Sequence, residues 1–226
     1  MEPRPGVIVF DVNETLSDMA PMASRFADVG APGLLARVWF STLLRDGFAL
    51  TAARGKEPFA RLARGALEAV LAGASLNRPA TAAADHILAG FSSLSVHPDV
   101  PGGIRLLREA GLRLITLSNG SAGIASQLLT SAGLRGSFEQ LLSVEDAPAW
   151  KPAAAAYAYA AGACSVPAAD MLLVAVHPWD IHGAHQAGLR TGWIARQPVP
   201  YPGYFAAPDL QAPDLGTLAR QILSWP

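Results

Sequence analysis

The chain has 226 residues, 51% hydrophobic and 15% charged, and its 17 Lys+Arg against 18 Asp+Glu give a formal net charge of −1. Ample apolar surface excludes a disordered chain, and the lack of a basic excess argues against a nucleic-acid partner. A single cysteine, Cys164, excludes an internal disulfide framework and a Cys-rich zinc site.

The first apolar run, 7–10 (VIVF), ends abruptly at Asp11. It is too short for the apolar core of a signal peptide, and no uncharged apolar stretch reaches membrane-spanning length. The expectation is a cytoplasmic protein with no membrane partner. Further short apolar runs follow at 113–117, 140–144, 171–176 and 192–195. They are near-continuously apolar, as strands buried on both faces should be. Helical segments at 102–110, 121–132 and 152–161 separate the later runs, and this alternation predicts a parallel α/β sheet with right-handed crossovers. Between the first strand and the rest, residues 32–51, 58–72 and 81–94 carry helical apolar patterns. Residues 17–95 therefore read as a helical insertion, with 1–16 and 96–226 forming the sheet domain. The Pro- and aromatic-rich stretch 198–215 reads as a surface loop, followed by a helix over 216–223.

Polar residues stand immediately after the strands: Asp11, Ser118 and Asn119, then His177 and Asp180. In an open parallel sheet, ligands bind outside the carboxyl ends of the strands, so these groups are expected to converge on one crevice. Lys151, before Pro152 at a helix start, adds a cation that would keep Asp11 ionised. Asp11 suits a nucleophile, which works once desolvated and aligned with a carbon bearing a leaving group. Asp180 suits a partner for Lys151 and an activator of water. Ser118 and Asn119 offer donors for an anion, and backbone N–H groups after Asp11, at Val12 and Asn13, suit an anion nest. Thr15 is expected to brace the loop, and Glu14 to have no catalytic role. Phe40, Trp39, Phe48 and Trp179 are expected to wall the pocket with apolar surface. His177 is expected at the crevice as a donor, a wall residue or a base near neutral pH. His182 and His185 share one helix face, but lack a further ligand for a metal site.

In order along the chain, FDVNETL (10–16), LSNG (117–120), WKP (150–152) and WD with GA (179–180 and 183–184) resemble the haloacid dehalogenase superfamily, and most closely its L-2-haloacid dehalogenase branch. That resemblance implies a Rossmann-like core with an inserted helical cap, an Asp11 ester intermediate, a short 2-haloacid as substrate, (R)-2-hydroxy acid as product, and a homodimer. Superfamily phosphatases have an acid two residues after the nucleophile and a second carboxylate near the last motif. This chain has Asn13 and Ala175 there. No metal cofactor is therefore expected, although Asp11 and Asp180 alone still offer weak Mg²⁺ ligands. Two positions depart from the dehalogenase branch. Phe40 stands where an Arg follows the cap Trp, and His177 where an Asn precedes the last Asp. Arg37 and Arg45 share that helix without needing to face the site. The alternatives are a phosphatase or other hydrolase of the superfamily, and a non-catalytic module of the same fold.

Overall fold

The computed structural model describes residues 4–225. A six-stranded, all-parallel sheet has the order β3-β2-β1-β4-β5-β6. Its strands are β1 (Val7–Phe10), β2 (Arg113–Ser118), β3 (Gln140–Ser143), β4 (Met171–Ala175), β5 (Arg190–Ile194) and β6 (Leu210–Ala212). Every residue of β1 is fully buried, because this strand pairs on both edges, Phe10 aligning with Thr116 of β2 and Val174 of β4. Alternation along the strand divides its side chains between two layers. Ile8 and Phe10 join a core with α5 (Val100–Glu109), α6 (Ala122–Ser131) and α9 (Leu215–Leu223). Val7 and Val9 join the opposite core with α7 (Ala154–Cys164) and α8 (Pro178–Gln186). β6 lies inside the stretch expected to be a loop. It is a three-residue edge strand paired only to β5, too short and too Pro-flanked for periodicity to mark.

Between β1 and α5 come α1 (Met22–Ala27), α2 (Leu35–Ala52), α3 (Phe59–Leu71) and α4 (Ala80–Ser92). Their apolar faces build a separate core around Trp39, Leu43, Phe59 and Leu67. The chain leaves and re-enters the sheet domain side by side. Ser17 and Val96 form an antiparallel bridge, flanked by Asp18 N–H to the Ser95 carbonyl at 2.8 Å and His97 N–H to the Leu16 carbonyl at 2.9 Å. The helices are fastened to the segment before α7. Lys56 Nζ donates to the carbonyls of Glu145 and Ala147 at 2.7 and 2.6 Å, and the Phe59 ring stacks on Trp150 with centroids 6.4 Å apart.

Trp150 also covers Gly47 of α2. A Cβ at Gly47 would lie 2.5 Å from the indole ring, and that ring is buried and held on its other side. Gly47→Ala is therefore expected to destabilise the protein by about 1–3 kcal/mol through overpacking. The thermal midpoint should fall by roughly 2–4 °C for each kcal/mol. Gly65→Ala, in α3 with nothing within 4 Å of its Cβ position, should leave the midpoint unchanged or raise it, since Ala costs about 0.5–1 kcal/mol less than Gly inside a helix. Equal midpoints for the two variants would show that the contact between α2 and Trp150 is not close-packed.

Candidate active site

The pairing of β1 with β4 brings the Asp11 loop against the residues that follow β4. Asp11 N–H donates to the Val174 carbonyl at 3.0 Å, so the ladder runs one residue past the strand. Thr15 Oγ1 then joins the two loops, donating to Asp11 Oδ2 at 2.7 Å and accepting from Val176 N–H at 3.1 Å. Thr15 thus braces the loop as expected.

Charges of alternating sign run through the site. Lys151 Nζ donates to Asp11 Oδ1 at 3.0 Å and to Asp180 Oδ2 at 2.5 Å. Its side chain is fully buried, as is that of Asp180, and Asp11 is 4% exposed. Tyr157 Oη caps one end of the row, donating to Asp180 Oδ1 at 2.6 Å. At the other end His177 Nδ1 lies 3.1 Å from Asp11 Oδ2, and His177 Nε2 lies 2.8 Å from Glu14 Oε2. The imidazole stacks on Trp179, centroids 4.9 Å apart. Phe48 packs edge-on against the same indole.

These contacts sort the protonation states. Burial opposes ionisation of Asp11, but Lys151 and the His177 hydrogen bond together hold it well below the usual carboxylate range. Burial pushes Asp180 upward, the Asp11 charge adds to this, and Lys151 pulls back only in part. The two carboxylates are thus driven apart, the arrangement by which one environment separates a permanently ionised group from a better base. Burial opposes the His177 charge, but its bonds to Asp11 and Glu14 push it up to about 10. It is therefore an imidazolium with both nitrogens donating. The expectation of a base near neutral pH is corrected on this ground, and Glu14, expected to have no catalytic role, is the carboxylate at His177 Nε2.

Other expected residues are placed as follows. Asn119 spends its carbonyl and one N–H on the backbone of Lys151, accepting from its N–H at 3.0 Å and donating to its carbonyl at 3.2 Å. Its amide fixes the lysine. Ser118 Oγ accepts from Gly120 N–H at 2.9 Å and is buried at the end of β2. The Val12 side chain packs in the sheet core, so only its backbone can face a ligand. Asn13 is buried against Gly120. Trp39 is no pocket wall, being fully buried among the helices and donating Nε1–H to the Ala63 carbonyl at 2.9 Å. Arg45 pairs with Asp46 at the surface. His182 accepts from Ala206 N–H and packs on Phe205, a structural role.

A cavity of about 630 Å³ opens between the helical segment and the sheet, lined in part by Met22, Arg37, Phe40, Glu14, His177 and Trp193. It reaches His177 and Glu14 but not Asp11, which lies behind the imidazole. Sequence reasoning missed Tyr157, which sits in an Ala-rich helix with nothing to mark it. The one available signal was Gly183. A Cβ there would lie 2.6 Å from Tyr157 Oη, so the glycine lets α8 approach α7 closely enough for the phenol to reach Asp180.

A profile of the haloacid dehalogenase-like hydrolase family matches residues 5–188. Haloacetate dehalogenase H-2 of Moraxella sp. (strain B) is 34% identical over 132 residues, 58% of this chain and 59% of that protein. The chain covers 46–59% of the length of this and other relatives. (S)-2-haloacid dehalogenase 1 of Pseudomonas sp. (strain CBS-3) is 28% identical over 217 residues, 95% of each chain. The structure of L-2-haloacid dehalogenase from Xanthobacter autotrophicus with chloropropionic acid covalently bound superposes with a TM-score of 0.88 at 25% identity, over 98% of this chain and all of that one. With its parallel sheet, its helical insertion and a profile match over most of its length, this chain belongs to the haloacid dehalogenase-like hydrolase family.

Proposed function

We propose that the protein is an (S)-2-haloacid dehalogenase acting on small 2-haloacids, with residues 17–95 as the cap over the site. The observation that carries this reading is the buried Lys151 ammonium, which fills the space between Asp11 and Asp180. An Asp11 oxygen attacks the halogen-bearing carbon, the carbon–halogen bond breaks, and the halide leaves with the bonding pair. The resulting aspartyl ester is hydrolysed by water at the Asp11 carbonyl carbon, Asp180 accepting the water proton. The Asp11 acyl–oxygen bond then breaks, the departing alkoxide takes the proton held by Asp180 to give the (R)-2-hydroxy acid, and the second water proton passes to solvent as the Asp11 carboxylate re-forms. Lys151 offsets the negative charge that returns to Asp11. Backbone N–H groups of Val12 and Asn13 and the Ser118 hydroxyl are assigned to the substrate carboxylate. Trp179 and Phe40 supply apolar surface. The relatives named as haloacid dehalogenases and the covalently bound chloropropionic acid of the Xanthobacter structure support the same chemistry.

The competing reading is a metal-dependent phosphatase. Asn13 cannot protonate an alkoxide, and a halide needs no proton to leave. Mg²⁺ demands an octahedron of oxygen ligands. Lys151 holds the position between Asp11 and Asp180, so among the described residues the set present does not fit the ion. A cytoplasmic homodimer belongs to the same proposal.

Dehalogenation of 2-chloropropionate is expected to survive a strong chelator and to gain nothing from Mg²⁺. Phosphate release from esters that depends on Mg²⁺, with no halide release, would replace the dehalogenase reading by the phosphatase. In single turnover in heavy-oxygen water, mass spectrometry should find the label in the Asp11 side chain. Label only in the hydroxy acid would mean direct attack by water. Because Phe40 carries no guanidinium, the His177 imidazolium is assigned the charge-assisted donor to the departing halide. His177→Ala should lower kcat by about 10²- to 10³-fold, the loss typical of one transition-state donor. Phe40→Arg in that background should recover part of it. Unchanged turnover in His177→Ala would remove His177 from the reaction.

A further inference from the structure

Glu14 has a backbone of unusual cost for a residue with a side chain. Its φ is 62°, in the left-handed region that glycine enters freely and other residues enter at about 1 kcal/mol or more. Every polar group of the residue is nevertheless engaged. Its N–H donates to Ser17 Oγ at 3.2 Å, its carbonyl accepts from His97 Nε2 at 3.0 Å, and its carboxylate holds His177 Nε2 at 2.8 Å. Ser17 and His97 are the two points where the chain leaves and re-enters the sheet domain. The turn is thus built to hold a carboxylate at this spot.

Resting on the dehalogenase reading, we propose that Glu14 is a positioning residue that fixes the His177 imidazolium with its Nδ1–H facing the reacting atoms. The chemistry explains why one carboxylate partner is insufficient. In the resting site Asp11 and Glu14 share the imidazolium. When an Asp11 oxygen bonds to the substrate carbon, Asp11 becomes a neutral ester and its hold on Nδ1–H weakens. At that moment the halide leaves as an anion and needs a donor. Glu14 keeps its charge throughout, so the ring stays in place and keeps its proton, and the Nδ1–H passes from Asp11 to the halide. No proton is transferred in this step. Trp179, stacked on the ring, restricts its tilt.

The other charges around His177 do not supply this anchor. Lys151 and Asp180 lie beyond Asp11. Asp18, Arg37, His97 and Arg196 also line the cavity. His97 is held down by burial, and Arg196 is engaged by Asp99 and the Thr15 carbonyl. Removing Glu14 therefore lowers the affinity of His177 for its proton, and lowers it further once Asp11 is esterified.

The experiment compares wild type, Glu14→Gly, Glu14→Gln and His177→Ala on 2-chloropropionate across pH 6–10.5, with a ¹⁵N titration of the His177 ring. Glycine suits the φ of 62° and leaves the turn unstrained, so folding should survive in Glu14→Gly. Its kcat should fall about ten- to a hundredfold, the loss expected when one charged hydrogen-bond partner goes, with a much smaller change in KM. The alkaline fall in kcat should move at least one pH unit toward neutrality, together with the ring titration. Glu14→Gln, which keeps an acceptor without the charge, should lie between. Added to His177→Ala, Glu14→Gly should cost nothing more, because the residue acts through the histidine. An unmoved alkaline limb, or an equal loss in the His177→Ala background, would overturn the proposal. If the wild type releases no halide from any 2-haloacid, the dehalogenase reading falls and takes the halide step with it. The ring titration then decides separately whether Glu14 sets His177.

Discussion

A buried ammonium between two buried carboxylates is the constraint on which the rest of the site depends. Removing a charge of this kind from water costs several kcal/mol even after relaxation, and only close partners offset it. Lys151 has Asp11 and Asp180, and the row extends in alternating sign from Glu14 through His177, Asp11 and Lys151 to Asp180, ending at the Tyr157 hydroxyl. Each interior member has a neighbour of opposite sign on either side. Loss of Lys151 leaves Asp180 with no charged partner in the row, only the Tyr157 hydroxyl, a cost of about 3–5 kcal/mol in comparable buried pairs. The reactivity follows from the same balance. Asp11 stays ionised without solvent, and Asp180 is left the stronger base.

The sheet places this row without strain in the strands. Because β1 pairs directly with β4, the loops after them stand side by side, and Thr15 ties them together. Lys151 comes from the other side, its backbone clamped by Asn119 at the end of β2. The distance from α7 to α8 is set by a missing side chain at Gly183, which decides whether Tyr157 reaches Asp180. The helical segment contributes differently. It packs on Trp150, one residue before Lys151, and supplies Phe40 and Arg37 to the wall of the cavity. Trp150 therefore ties the helical segment to the chain beside Lys151.

His177 shows how the same residue type acquires a different chemistry from its surroundings. A histidine after a strand, read alone, is a base, a donor or a filler. Between two carboxylates, and 12% exposed, it is an imidazolium. Two tertiary contacts decide this, Asp11 at Nδ1 first and Glu14 at Nε2 second. Nothing about Glu14 in the linear chain separates it from an ordinary loop carboxylate, because the partner lies 163 positions away.

The amino-acid sequence by itself determined the parallel sheet, the helical segment inserted after β1, and the places of Asp11 and Ser118 at the ends of β1 and β2 and of Asp180 shortly after β4. Buried strands and amphipathic helices leave a periodic record, and residues that follow strands inherit their position from the sheet. It also carried Lys151 and the absence of an acid at Asn13. Only the tertiary structure decided that Asn119 clamps Lys151, that Trp39 belongs to the helical core, that Leu210–Ala212 forms an edge strand, and that Tyr157 and Glu14 complete the charged row. These depend on contacts between distant segments, where the approach of two helices or the sign of one φ angle governs whether polar atoms meet. Periodicity does not encode such distances, because they follow from packing around glycines and aromatic rings rather than from any local preference of the chain.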